Sequence, residues 1–129
     1  MHMKYYAAPE WNTKMKELVA VLGMDHVALD RVVCFKSTGS KARRTIARIH
    51  SLPKIIQLGL QTQPFYVIEL ISEQFDRQSG EEKIKTLLHE LMHIPHSFKG
   101  GFRKHKPFVN HRTVEVMYKR YADQARLPR

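Results

Sequence analysis

The stretch from Leu87 to His93 reads LLHELMH, so two histidines lie four residues apart in an otherwise apolar run. Residues i and i+4 share one face of a helix, which lets His89 and His93 offer two imidazole nitrogens to one cation. Glu90 then lies beside that cation rather than on it. Buried polar groups without partners are costly, so a metal explains this pattern better than an ordinary amphipathic helix.

This pattern has a specific chemistry. Zinc held by two histidines and one further ligand keeps an open position, where the pKa of a bound water falls to about 7. Glu90 would take the proton of that water and pass it to a leaving amine. The pattern therefore predicts zinc-dependent peptide hydrolysis with Glu90 as general base. Affinity and geometry leave iron, nickel and manganese open as alternative metals.

Length and composition define the broad class of the protein. The chain has 129 residues, of which 43% are hydrophobic, and this predicts one globular domain over residues 1–129. No apolar run approaches the roughly 18 residues of a membrane span, and the N-terminus lacks the pattern of a secretory signal. The one cysteine, Cys34, is expected in the core. We therefore expect a cytoplasmic protein without disulfides.

The formal net charge is +10, and it is unevenly distributed. Residues 36–54 contain six Lys or Arg and no acid, and residues 99–129 contain nine Lys or Arg beside Glu115 and Asp123. Such clusters favour polyanions or acidic proteins as partners. A solvated surface gives the same composition, and charge alone reports attraction rather than base recognition.

Hydrophobic periodicity predicts an α+β fold in the order helix, about three strands, motif helix and C-terminal helix. The elements predicted before the motif are a helix over Trp11–Leu22 and strands over Val32–Phe35, Thr45–His50 and Phe65–Ile71. Lys54–Leu60 fits either a return strand or a connector, and Ser72–Arg77 is predicted to be a turn. The strand Phe65–Ile71 is the candidate to hold an extended substrate through its backbone.

Two helices are predicted at and after the motif. Ser79 and Glu82 form a capping-box pattern, and Pro95 ends the helix, which predicts a motif helix of about Gly80–Ile94. A last helix is predicted over roughly Lys106–Ala125. Its apolar stripe would consist of Phe108, Val114, Met117, Tyr118 and Tyr121.

A third ligand is needed to complete the metal site. The metzincin pattern requires a histidine six residues after His93, where Lys99 stands, and this excludes that class. His105 begins the predicted last helix, from which it can reach back over an antiparallel helix. We choose His105 first, with Glu115 and His111 as the alternatives.

The sequence around the motif resembles a known family. HELMHIP at 89–95, with Phe98, Gly100-Gly101, Arg103 and His105 after it, resembles the small prokaryotic and phage metallopeptidases that include the minigluzincins. Residues 40–49 and 66–76 look like the rest of that family, and the resemblance covers roughly residues 31–121.

The resemblance implies a minimal zincin fold with an N-terminal helix, a short sheet, an active-site helix and a following helix. It also implies a histidine as third ligand, which position for position is His105. More distantly, the segment from His105 to Phe108 is similar to SprT-like proteases. Family members have been found latent, with the C-terminal segment covering the cleft, and here that segment would be Ala122–Arg129.

Further roles stay open at the level of sequence. A tyrosine of the last helix, Tyr118 rather than Tyr121, is a candidate to stabilise the oxyanion, although tyrosines at this spacing usually pack in the core. The rival function is a basic nucleic-acid-binding module with a structural metal, for which His96 or His111 would be the fourth ligand. A protease recruited to DNA by its basic surface, as in SprT-like proteins, combines the two.

Overall fold

The computed structural model describes residues 2–125 and confirms the predicted α+β class. Within those residues it contains five α-helices and a four-stranded sheet. The elements are β1 (Lys4–Ala7), α1 (Pro9–Val21), β2 (Val32–Thr38), β3 (Ala47–Ser51), α2 (Lys54–Leu60), β4 (Tyr66–Ile71), α3 (Ser72–Phe75), α4 (Gly80–Met92) and α5 (His111–Ala125). None of these helices is both long and apolar enough to cross a membrane.

The strands are arranged in the order β1-β2-β4-β3. β2 runs parallel to β4, whereas β1 pairs antiparallel with β2 and β3 pairs antiparallel with β4. β4 is therefore a central strand whose backbone groups bond to neighbours on both sides. This corrects the prediction that the Phe65–Ile71 strand holds an extended substrate, because the free edge on that side of the sheet belongs to β3.

The two faces of the sheet have different surroundings. The predicted alternation along β4 is confirmed, since Tyr66, Ile68 and Leu70 are buried in the core formed with α1, α4 and α5. Val67 and Glu69 point to the opposite face, where open cavities lie against the strands. The sheet thus has one face covered by helices and one largely open face.

The core lies on the covered face. Its fully buried side chains include Leu18 of α1 and Leu87, Leu88 and Leu91 of α4, each of which stabilises the fold by about 1.5–3 kcal/mol. Cys34 is also fully buried, as predicted. Its burial raises the pKa of the thiol to about 12, so the sulfur stays protonated and unreactive at neutral pH.

Three segments before α4 differ in kind from their predictions. β1 was not predicted, because all four of its residues are exposed and its pairing with β2 leaves no burial pattern in the sequence. Lys54–Leu60 is a helix rather than a strand or connector, and it buries Gln57 while exposing Ile55 and Leu58. The predicted turn after β4 begins with the short helix α3.

The last helix begins later than predicted. Asn110 Oδ1 accepts a hydrogen bond from the Thr113 N–H (3.1 Å), and the Thr113 hydroxyl accepts one from the Asn110 N–H (3.0 Å). These bonds give the Thr113 N–H in the first turn of the helix, and the Asn110 N–H before it, a hydrogen-bond partner, so the helix starts at His111. Phe108 therefore precedes α5 and is 42% exposed, which corrects its place in the apolar stripe, whereas Val114 and Tyr121 are buried.

Candidate metal centre

Helix α4 holds the motif on a fixed scaffold. The predicted capping box is present: the Ser79 hydroxyl accepts a hydrogen bond from the Glu82 N–H (3.1 Å), and the Glu82 carboxylate accepts one from the Ser79 N–H (2.9 Å). The helix ends at Met92, so His93 occupies its C-cap. One face of α4 is fully buried, and this fixes the direction in which the face bearing the histidines points.

Three histidines converge at the end of this helix. His89, His93 and His105 each offer a ring nitrogen, and these three atoms all lie within 4.8 Å of one another. The Nε2 atoms of His89 and His93 are 3.3 Å apart. His105 completes the group from the loop before α5, with its ring centroid 4.7 Å from that of His93 and 5.4 Å from that of His89.

The electrostatic surroundings keep two of these rings neutral. Burial, followed by the neighbouring His93 and His105, lowers the pKa of His89 to about 4. Burial likewise lowers the pKa of His93, although its hydrogen bond to the backbone of Arg103 opposes the shift. Both rings therefore present a free lone pair at neutral pH, as a metal ligand must.

The backbone of Arg103 orients His93. The Nδ1–H of His93 donates a hydrogen bond to the Arg103 carbonyl (2.8 Å), and the Arg103 N–H donates one to the His93 carbonyl (2.7 Å). A carbonyl can only accept, so the proton of the neutral ring lies on Nδ1 and the lone pair on Nε2 faces His89. The same pair of bonds brings His105, two residues on, over the end of α4.

The turn between α4 and His105 is held from the sheet. Gly100 and Gly101 both adopt positive φ, which favours glycine. The buried Tyr66 hydroxyl accepts a hydrogen bond from the Gly100 N–H and donates one to the Gly101 carbonyl, both at 3.1 Å. The Ser51 hydroxyl accepts a hydrogen bond from the Gly101 N–H (3.1 Å), and the Gln57 side-chain amide donates one to the Lys99 carbonyl (3.2 Å). These anchors from β3, α2 and β4 position the loop that carries His105.

Glu90 lies at the floor of a cleft beside the three histidines. Its side chain is 7% exposed, and burial raises the pKa of its carboxyl to about 7. A cavity of about 540 Å³ and another of about 420 Å³ meet at His89, Glu90 and Ala47. The second of these cavities contains all three histidines. Glu90, His89 and Ala47 of β3 therefore line one joined cleft.

The other candidate residues lie outside the cluster. Glu115 forms an ion pair with Lys85 (2.6 Å). His111 lines the larger cavity but does not belong to the group of three histidines. His96 packs against the ring of His26 instead (4.4 Å between centroids). The ammonium of Lys85 also lies 5.0 Å from the Tyr118 ring, which packs against the core and lines neither cavity.

The predicted regulatory tail is only partly described. Its residues up to Ala125 belong to α5, and residues 126–129 lie outside the described part of the chain. Its role as a cover of the cleft stays a prediction.

Three imidazole nitrogens suit a transition-metal ion of intermediate softness such as zinc. Two imidazole nitrogens bound tetrahedrally to zinc at about 2.0–2.1 Å lie about 3.3 Å from each other. The Nε2 atoms of His89 and His93 are already 3.3 Å apart. Within residues 2–125 the group contains three ligands and no fourth, which is the composition of an open site rather than a closed structural one.

A histidine triad beside a buried carboxyl, open to a cleft, defines a candidate metal-dependent hydrolase site. Comparison with protein families agrees with this class: the family model described as "Putative phage metallopeptidase" matches residues 3–123. The chain belongs to this family, which confirms the resemblance found in the sequence and extends it through β1 and α1. No curated protein and no solved structure matched the chain significantly.

Proposed function

We propose that this protein is a zinc-dependent peptidase in which His89, His93 and His105 hold the metal and Glu90 is the general base. The observation that carries the proposal is the convergence of three ring nitrogens within 4.8 Å beside a buried carboxyl. Membership of a metallopeptidase family supports it independently. Zinc is the metal of choice because neutral imidazoles in an open three-ligand set are its usual catalytic ligands.

The metal and the protein make separate contributions. Zinc held by these residues would supply a Lewis acid, which would lower the pKa of a coordinated water to about 7 and polarise the scissile carbonyl. Glu90 supplies proton transfer: its carboxylate accepts a proton from the attacking water and delivers it to the leaving amine. Because Glu90 is only 7% exposed, its carboxyl is largely shielded from bulk water on the floor of the cleft.

The substrate is proposed to bind as an extended strand along β3. Among residues 2–125 this strand pairs with β4 on one side only, which leaves the opposite row of its backbone groups to pair with a peptide. Ala47 and Ile49 of β3 line the cavity that contains the histidines, and Phe102 forms an apolar wall there. Backbone pairing would present the scissile bond to Glu90 with little dependence on side chains.

The rival function, a nucleic-acid-binding module with a structural metal, fits the site less well. A structural zinc site is closed by four protein ligands, and His111 and His96 lie outside the cluster of the described residues. It also leaves unexplained why a carboxyl is buried beside the histidines. Binding of nucleic acid by another surface of a peptidase is compatible with this site.

Hydrolysis of a mixed peptide library by the purified protein tests the proposal. Mass spectrometry should find cleavage products with the zinc-loaded protein, none after chelation, and restored cleavage when zinc is returned. Cleavage that persists unchanged after complete removal of metal would contradict the proposal. Tight binding of zinc with no cleavage of any peptide would contradict it equally and would favour the structural role.

A further inference from the structure

The open face of the sheet carries a continuous groove. A cavity of about 330 Å³ and one of about 410 Å³ share His50 and Val67, so they join across β4 and β3. Tyr5 and Phe35 line one end of this groove, and Phe65 lines the other. The alternation of the strands places all of these side chains on the face opposite to Tyr66 and the histidine cluster. The groove is therefore separate from the cleft over Glu90.

The groove walls are aromatic and accessible. Tyr5 is 62% exposed, although it lies in a strand, and it lines the same cavity as Phe35. At the far end, the guanidinium of Arg31 lies 4.8 Å from the centroid of the Phe65 ring. Flat side chains spaced along an open sheet are surfaces on which nucleobases stack, at about 1–3 kcal/mol per base.

Positive charge lies at both ends of the groove. Arg31 occupies one end. At the other, Arg48 extends from the sheet to the β2–β3 loop, where it donates a hydrogen bond to the Ser40 hydroxyl (3.3 Å). That loop carries Lys41 and Arg43, both exposed and neither in an ion pair with another residue of the described chain. Such unpaired charges attract a phosphate backbone.

The carboxylate in the groove floor is already paired with its neighbours. Glu69 is 3% exposed, and its carboxylate accepts hydrogen bonds from the Ser37 hydroxyl (2.6 Å) and His50 Nε2 (2.8 Å). Arg48 lies directly opposite Glu69 on β3. The carboxylate therefore adds little repulsion against a polyanion and instead fixes the position of His50.

We propose that this groove binds single-stranded nucleic acid, with bases stacked on Tyr5, Phe35 and Phe65 and phosphates attracted by the positive charge of Arg31, Arg48 and the β2–β3 loop. The net charge of +10 supplies the long-range attraction. A duplex fits this surface poorly, because its bases are stacked on each other and hidden from aromatic side chains. The site operates whether or not the cleft on the other face cleaves peptides.

Fluorescence anisotropy with labelled oligothymidylate, oligouridylate and a duplex of equal length tests the proposal. Both single strands should bind more tightly than the duplex. Tyr5→Ala should weaken single-strand binding by at least about fivefold, the low end for loss of a stacking aromatic. Tyr6→Ala is the matched control, because Tyr6 is an exposed tyrosine of the same strand on the opposite face and should leave affinity unchanged.

Two further variants test the contribution of charge to oligonucleotide binding and the independence of that binding from the cleft over Glu90. Lys41→Glu combined with Arg43→Glu should weaken binding of both single strands and flatten its salt dependence. Glu90→Gln should bind oligonucleotides as the wild type does, whatever its effect on peptides.

Several results would overturn the proposal: no binding at low salt, a preference for the duplex, or equal losses in Tyr5→Ala and Tyr6→Ala. Self-association in sedimentation experiments that Tyr5→Ala abolishes, without oligonucleotide binding, would instead assign the groove to a second copy of the chain.

Discussion

Arg103 is bonded to His93 through both of its backbone polar groups, with its carbonyl accepting from His93 Nδ1 at 2.8 Å and its N–H donating to the His93 carbonyl at 2.7 Å. This relationship sets the tautomer of one proposed ligand and the position of another, since His105 follows two residues later. Partners of this kind around a metal site typically contribute 10–100-fold in metal affinity.

The role of the Arg103 backbone can be separated from that of its side chain. Arg103→Pro removes the N–H that bonds to the His93 carbonyl and loosens the segment leading to His105, so it should weaken zinc binding. Arg103→Ala keeps both backbone groups and should bind zinc as the wild type does. Competition with a chelating dye measures both affinities. Equal losses in the two variants would show that the guanidinium, rather than the backbone, supports the site.

The choice of His105 as third ligand predicts a ranking of metal contents. His105→Ala leaves two ligands and should lose most bound zinc, whereas His111→Ala should retain it because His111 lies outside the cluster. Zinc should also raise the melting temperature of the wild type and of His111→Ala but not of His105→Ala, since a ligand stabilises the state that binds it. Elemental analysis and thermal unfolding measure both effects. The opposite ranking of the two variants would reject His105.

The lowered pKa of Glu69 predicts how the stability of the fold depends on pH. Burial by itself would raise the pKa of Glu69, but hydrogen bonds from Ser37 and His50 outweigh it and hold the pKa below its ordinary value of 4.5. The pKa is thus lower in the folded chain than in the unfolded one. The resulting stabilisation is fully present above the unfolded pKa and is lost as the pH falls through the folded pKa.

Urea unfolding of the wild type and Glu69→Gln over a pH series measures this effect. The difference in free energy of unfolding between the two proteins should be constant near neutral pH and should shrink in acid below about pH 4. A difference that does not change with pH would show that Glu69 contributes only packing.

Local features of the site could be predicted from the sequence. The spacing of His89, Glu90 and His93 depends only on the geometry of one helix, and the bonds between Ser79 and Glu82 depend only on its first turn. These features need no knowledge of distant residues, and the structure contains them as expected. The sequence ranked His105 first among three candidate third ligands, and the family resemblance pointed to the same residue.

Long-range features could not be predicted in the same way. Tyr66 is 34 residues from Gly100 in the chain, and nothing in the alternation of β4 indicates that its hydroxyl anchors the turn before His105. Gln57 is the polar residue of an apolar segment, so periodicity places it on the surface, yet it is buried against the Lys99 carbonyl. The edge position of β3 depends on strand order, which no local pattern encodes.

Peptide cleavage by Glu90→Gln, measured beside its zinc content, tests the central claim most directly. Glutamine has nearly the same shape as glutamate but cannot accept the proton of the attacking water. We expect the variant to bind one zinc like the wild type and to lose cleavage by about 10²–10⁴-fold, the range for loss of a general base. Full cleavage by a zinc-loaded Glu90→Gln protein would contradict the assignment of Glu90 and the mechanism built on it.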